Sequence, residues 1–198
     1  MPRRDADATA SLRASLLRDA RRLVERDGPG ALTMRALAAE AGRAIGLPYK
    51  VFSSREEIVA ELVLEEFAGL RAELDRWSGR AGSGTIGRNL AAYAQIMLNR
   101  QLPVWQMVSA VDDAALHQAA AAKAGPSGLL ASFDSTVRDY LAAEQRLGRV
   151  HADVDVDAFG FVITGAIHNL LVAGPGYPRP SQRRLDEILR AVADRISA

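Results

Sequence analysis

The chain has 198 residues, 48% of them hydrophobic, no cysteine and a formal net charge of +1. This length suits one large domain or two small ones with a filled core, and without cysteine there is neither a disulfide framework nor a thiolate metal site. No uncharged apolar run reaches the roughly 18 residues that a membrane span needs, and the opening MPRRDADATAS lacks the apolar stretch of a secretory signal. Both features suit a cytoplasmic protein, with that opening as a short disordered arm.

In chain order, Leu12, Leu16, Leu23 and Val24 form one helical stripe over residues 11–27, which Gly28-Pro29-Gly30 ends. Met34, Leu37, Ala38 and Ala41 then recur at three- and four-residue spacing, the mark of one helix face. Thr33 stands ahead of them as an N-cap, and Gly42 follows where a tight turn needs positive φ. A second short helix over 45–51 carries Tyr49 and Lys50. Ser53-Ser54-Arg55-Glu56-Glu57 holds two overlapping Ser-x-x-Glu capping boxes. They precede a long helix over 54–77 with Ile58, Leu62, Phe67, Leu70 and Leu74 along it. Residues 78–84 read as a Gly/Ser linker. Further helices are predicted over about 85–101, 103–123, 127–148, 155–173 and 181–197, separated by Gly125-Pro126, Gly148 and the Gly174–Pro178 turn. Two-residue alternation occurs only briefly at 151–156. The prediction is therefore an all-α protein of about nine helices.

Chemistry-bearing constellations are few. Asp153-Val154-Asp155-Val156-Asp157 has the acidic start of a calcium loop, but Ala158 and Thr164 stand where such a loop needs Gly and a bidentate Glu. Helix capping and dipole complementarity account for these aspartates. His117, His151 and His168 do not have the spacing of a helical zinc pair. There is no nucleophile elbow and no phosphate-cradling Gly-rich loop. No metal and no cofactor is expected. A small all-α enzyme or ligand carrier is the alternative reading, and it would need a convergent acid, base or metal set.

Charge is unevenly divided. Residues 1–55 hold 11 Lys/Arg against 6 Asp/Glu, a balance of +5, while residues 56–198 hold 14 against 18, a balance of −4. A basic N-terminal part on an acidic remainder is the footprint of a DNA-binding head on a body that does not bind DNA. A helical scaffold with no DNA role would carry its basic residues evenly. Two short helices joined by a tight turn are also the size that enters a major groove.

At Thr33, Arg35, Ala41-Gly42, Gly46, Tyr49, Phe52 and Ser54-Arg55-Glu56-Glu57 the chain resembles the tetracycline-repressor (TetR) family of bacterial transcription regulators. The detailed match covers about a quarter of the chain, and the rest agrees in length and helix layout. There are two departures. Arg43-Ala44 replaces the family's usual Val-Ser, which removes a hydroxyl cap, and Pro48 stands inside the second short helix. A late or distorted start to that helix is expected.

The resemblance implies a head over 1–55 that binds double-stranded operator DNA and a body over 56–198 that binds an effector and dimerises. In the head, Lys50 and Arg55 would neutralise phosphates, Tyr49 and Thr33 would hydrogen-bond them, and Arg35 and Ala44 share their surface. Arg43, Ile45, Gly46 and Leu47 are the candidates to face bases, since Arg can read guanine and an apolar side chain can meet a thymine methyl. In the last two helices, Phe159, Ile163, Ile167, Leu171, Leu185, Leu189 and Val192 are candidates for a homodimer interface. An intramolecular core explains the same pattern equally well on the residues alone. Tyr93, Met97, Trp105, Met107 and Phe133, with the polar pair His168 and Asn169, are candidates for a mainly apolar effector pocket. The reading is a homodimeric repressor released from DNA by a small hydrophobic or aromatic molecule, with no membrane partner.

Overall fold

The computed structural model describes residues 2–99, 107, 135–172 and 176–198. Among them are eight α-helices: α1 (Pro2–Asp27), α2 (Met34–Glu40), α3 (Gly46–Val51), α4 (Arg55–Ser78), α5 (Ile86–Leu98), α6 (Thr136–Arg146), α7 (Val156–Val172) and α8 (Gln182–Ile196). A 3₁₀ turn, Pro29–Ala31, joins α1 to α2. The all-α expectation holds. The helix predicted over 103–123 lies outside the described residues except for Met107, as does the first part of the one predicted over 127–148.

The N-terminal arm is a correction. The opening residues are not a disordered arm but continue α1 back to Pro2. Proline is pre-set for a first helical position, and the alanines that follow favour helix continuation.

Contacts divide the described residues into two compact units, the first reaching to Phe67 inside α4 and including Met107, the second made of the remainder from Ala68 onward. The first unit therefore takes in the opening turns of α4 as well as the head expected over 1–55. In it α1 packs on α2, on the 3₁₀ turn and on α3. Leu16, Leu23, Leu37, Phe52, Ile58 and Leu62 are buried there.

In the second unit α5 is central, with α7 and α8 packed against it and α6 against α7. Trp77, from the end of α4, stacks at tilted angles on Tyr93 and Tyr140, with ring centroids 5.1 and 4.6 Å away. A buried polar chain threads this core. Trp77 Nε1 donates to the Asn89 carbonyl at 2.6 Å, Asn89 Nδ2 to the Tyr140 hydroxyl at 2.9 Å, and that hydroxyl to Glu144 at 2.6 Å. Glu144 is fully buried. Its carboxylate also accepts from Gly82 N at 3.1 Å and pairs with Arg149 Nε at 3.1 Å, compensation that a buried charge requires. Arg149 donates as well to the Gly84 carbonyl at 2.7 Å. The segment that reads as a linker is thus bound down at both Gly82 and Gly84. Burial, reinforced by the hydrogen bond to the Glu144 carboxylate, pushes the Tyr140 phenol well above its ordinary range. The C-terminus returns alongside residues 149–151, where His151 N donates to the Ile196 carbonyl and Ala198 N to the Arg149 carbonyl.

Two glycines of α7 differ sharply. A Cβ on Gly160 would lie 2.9 Å from the Arg138 Cα and backbone N of α6. At Gly165 nothing lies within 4 Å. Gly160→Ala should therefore push α7 off α6 and cost about 1–3 kcal/mol of stability. Gly165→Ala should be neutral or stabilise by up to about 1 kcal/mol through helix propensity. Thermal or denaturant unfolding of the two variants side by side measures this difference.

Candidate nucleic-acid interface

The two-helix motif forms as its residue types dictate. Thr33 Oγ1 accepts from Ala36 N at 3.0 Å and so caps α2. Gly42, at φ 61°, ends it. Arg43 N donates to the Ala38 carbonyl at 2.9 Å and Gly42 N to that of Ala39 at 3.1 Å, a Schellman closure. The expected weak start to α3 is visible. Ile45 occupies the N-cap with no side-chain cap, and the helix begins only at Gly46. Pro48 does no damage there. It is the third residue of α3 and buried, so its missing N–H falls among those that no helix satisfies internally.

These elements set the exposure of each candidate. Thr33, Arg35, Arg43, Ala44, Ile45, Gly46, Tyr49 and Lys50 are exposed, whereas Leu47 is half-buried. The motif thus brings all of them but Leu47 to the surface.

Arg55 is held by contacts within the head. Its Nε donates to the Leu32 carbonyl at 2.6 Å and its Nη2 to the Pro29 carbonyl at 3.0 Å. These two bonds close the turn ahead of α2.

Arg13 was not visible to sequence reasoning. From α1 it reaches Glu57, Glu61 at 2.8 Å and the Val51 carbonyl at the end of α3 at 2.6 Å. Its guanidinium carbon also lies 4.4 Å from the Phe52 ring centroid. One side chain therefore ties α1, the C-terminus of α3 and the first turns of α4. The available signal was Glu57 and Glu61, one turn apart on α4, which need a cation between them. Glu57 in addition accepts from Ser53 N and Oγ, both at 2.7 Å, while Ser54 Oγ accepts from Glu57 N at 3.3 Å. Burial works to raise the Glu57 pKa, but hydrogen bonds from Arg13 and Ser53 outweigh it and hold the carboxyl below its usual value.

Of the other basic residues of the head, Arg18 is exposed on α1 and makes no ion pair among the described residues. Arg21 pairs with Glu65 and Glu66, Arg22 with Asp19 and Glu40, and Arg26 with Asp27 and Glu40. Arg35, Arg43 and Lys50 make no ion pair among the described residues, and all three lie on the two-helix motif.

Of the candidate pocket residues, Tyr93, Met97, His168 and Asn169 lie in the second unit. Tyr93 and Met97 are buried in the core. His168 and Asn169 are exposed, because helical rotation puts them on the side of α7 away from Ile163 and Ile167. Met107 is buried but belongs to the first unit, and Trp105 and Phe133 lie outside the described residues. The candidate interface residues are also redistributed. Ile163, Ile167, Leu185 and Leu189 are buried within the chain itself. Phe159, Leu171 and Val192 are half-buried. Outward instead stand Phe161, at 79% exposure, Val162, at 63%, and Ile188, at 39%.

Two open clefts mark this unit. One, of ≈ 270 Å³, is lined by Glu73, Arg76, Trp77, Arg80 and Ile96, and is more charged than the apolar pocket expected. The other, of ≈ 360 Å³, runs between Phe159 and the α8 residues Ile188, Ala191 and Val192, with Arg184, Glu187 and Arg195 at its rim. Among the described residues no His/Cys/Asp/Glu group could hold a metal, and no helix is long and apolar enough to cross a membrane.

Residues 16–62 match the family of bacterial regulatory proteins named for TetR. The chain is also similar in fold to several solved structures. A TetR/AcrR-family transcriptional regulator from Thermobifida fusca has 16% identity and a TM-score of 0.66, with 92% of this chain and 96% of that one covered. A ketosteroid transcriptional regulator of Mycobacterium tuberculosis has 20% identity and a TM-score of 0.57, covering 94% and 95%. A transcriptional regulator from Saccharomonospora viridis, in complex with choline, has 18% identity and a TM-score of 0.64, covering 96% and 99%. No curated protein matches the sequence. Residues 16–62 thus resemble the DNA-binding head of the TetR family, and over the rest of the chain the likeness is one of fold alone.

The contacts separate positioning from DNA contact. Arg13→Ala should cost about 2 kcal/mol of stability by stranding two carboxylates and a carbonyl. Arg55→Ala should likewise lower the melting temperature yet leave the salt dependence of DNA binding unchanged. Because the Glu57 pKa is depressed, its contribution is complete above the ordinary carboxyl value of 4.5. It should be lost as pH falls through the lower folded value. Unfolding of wild type and Glu57→Gln from pH 7 down to pH 3 shows this as convergence of the two curves.

Proposed function

We propose that this protein is a cytoplasmic, homodimeric repressor that binds operator DNA through α2 and α3 and is released by a small, largely apolar molecule held in its body. The observation that carries the DNA reading is the charge pattern of the head. Arg13, Arg21, Arg22, Arg26 and Arg55 engage protein partners, Arg18 stands exposed alone on α1, and Arg35, Arg43 and Lys50 stand exposed together on the two-helix motif. Thr33 and Tyr49 supply neutral donors on the same surface. Such a set positions a protein on phosphates, and base contacts specify the site.

The homodimer reading rests on the outward face of α7 and α8. Phe161 and Val162 are mostly exposed, Gly165 leaves room for close approach, and Ile188 and Val192 border the apolar groove. Arg184, Glu187 and Arg195 at the rim carry both signs of charge, which lets the patch pair with a copy of itself about a two-fold axis. Support for a body ligand comes from similar folds, of which one holds choline and another is named for ketosteroids. The effector would favour dimers whose two recognition helices no longer match successive major grooves, about 34–36 Å apart.

A gel shift against the DNA upstream of the chain's own gene tests the whole reading. Lys50→Ala and Arg35→Ala should each weaken binding on all sequences alike and reduce the salt slope by about one. Unchanged affinity and slope in both would remove α2 and α3 from this role. For the dimer, Val162→Asp should weaken self-association on the order of a hundredfold by burying an unpaired charge. Sedimentation equilibrium measures it, and a wild-type monomer at micromolar concentration contradicts the dimer.

A further inference from the structure

We propose that Ile45 is a specificity-determining residue whose side chain packs on the C5-methyl of a thymine, so that each half-site of the bound DNA contains a thymine read by shape and not by hydrogen bonds. The inference rests on the DNA-binding reading of α2 and α3 above and deepens it.

Helix α3 presents one side inward and one outward. Its inward side is settled by Pro48, which is buried, and by Leu47, which is half-buried. Ile45 is 56% exposed. It sits between Ala44 and Gly46, both exposed as well. Three successive surface positions at the leading edge of the helix thus offer neither donor nor acceptor from a side chain. A lone exposed isoleucine is ordinary on protein surfaces. This one is flanked by apolar neighbours on the basic two-helix surface.

The major groove has one apolar group to offer such a surface, the thymine methyl. The other base edges there present donors and acceptors that Ala44, Ile45 and Gly46 cannot satisfy with side chains, and covering them would strand those groups without partners. Gly46 adds a steric condition. No heavy atom lies within 4 Å of where its Cβ would be, so the backbone beside Ile45 can approach a base edge without obstruction. Arg43, just before this patch, is the nearest side chain able to hydrogen-bond a base. Tyr49 and Lys50 lie one turn further on. A thymine opposite Ile45 with a hydrogen-bonded base opposite Arg43 is therefore the half-site that the surface favours.

The experiment uses the full chain. Binding sites are selected from a random duplex pool, and each thymine of the selected site is replaced in turn by deoxyuridine, which removes only the methyl. At one thymine per half-site the wild type should bind about fourfold more weakly, the value of one buried methyl-sized group. Ile45→Ala should lose a similar factor on the unmodified site and then be indifferent to deoxyuridine at that thymine. The variant's melting temperature should stay at the wild-type value, since Ile45 is exposed. If no thymine shows the effect in the wild type, or if Ile45→Ala keeps it, the inference is overturned. If no sequence is enriched from the pool, the DNA-binding reading itself fails.

Discussion

The head depends on one cation placed where three chain segments converge. Arg13 on α1 neutralises Glu57 and Glu61 on α4, accepts the ring of Phe52 against its face and caps the last carbonyl of α3. α3 has six residues and no side-chain N-cap, so it is far too short to hold itself together in water. Its orientation must come from tertiary contacts, and Arg13 supplies the polar ones at its C-terminal end. Arg is suited to this because its planar fork can serve several acceptors at once.

The same logic explains how a nearly neutral chain keeps a basic surface. Head acids are not spread at random among head cations. Asp19, Asp27, Glu40, Glu57, Glu61, Glu65 and Glu66 each engage an arginine of α1. That pairing consumes nearby negative charge and leaves the cations of α2, the turn and α3 without competition. The potential at the motif therefore exceeds what the net charge suggests.

In the second unit a buried carboxylate performs the organising role. Glu144 gathers the Tyr140 hydroxyl, Gly82 N and Arg149, and so converts a Gly/Ser-rich segment into a packed turn. Removing any one donor would leave a charge short of compensation in a place water does not reach. Helix α7 then has two apolar sides. Ile163 and Ile167 face the chain's own core, and Phe161 and Val162 face away from it.

The sequence by itself determined the elements whose causes are local. The Thr33 cap, the positive-φ Gly42 turn, the Ser54–Glu57 capping box and the helix periodicities need only neighbours within a turn or so, and the all-α class follows from them. Surface candidates on α2 and α3 were legible for the same reason, since short-range phase decides what a small amphipathic helix exposes. Only the tertiary structure could decide the rest. That Arg55 bonds the carbonyls of Pro29 and Leu32 depends on residues more than twenty positions away. Arg13 finds its partners at still greater separation. Which apolar stripe of α7 turns inward is likewise invisible to periodicity, because α7 has apolar residues on both sides. The choice is made by α5 and α6, where Gly160 lets α6 close against one side and leaves the other to solvent.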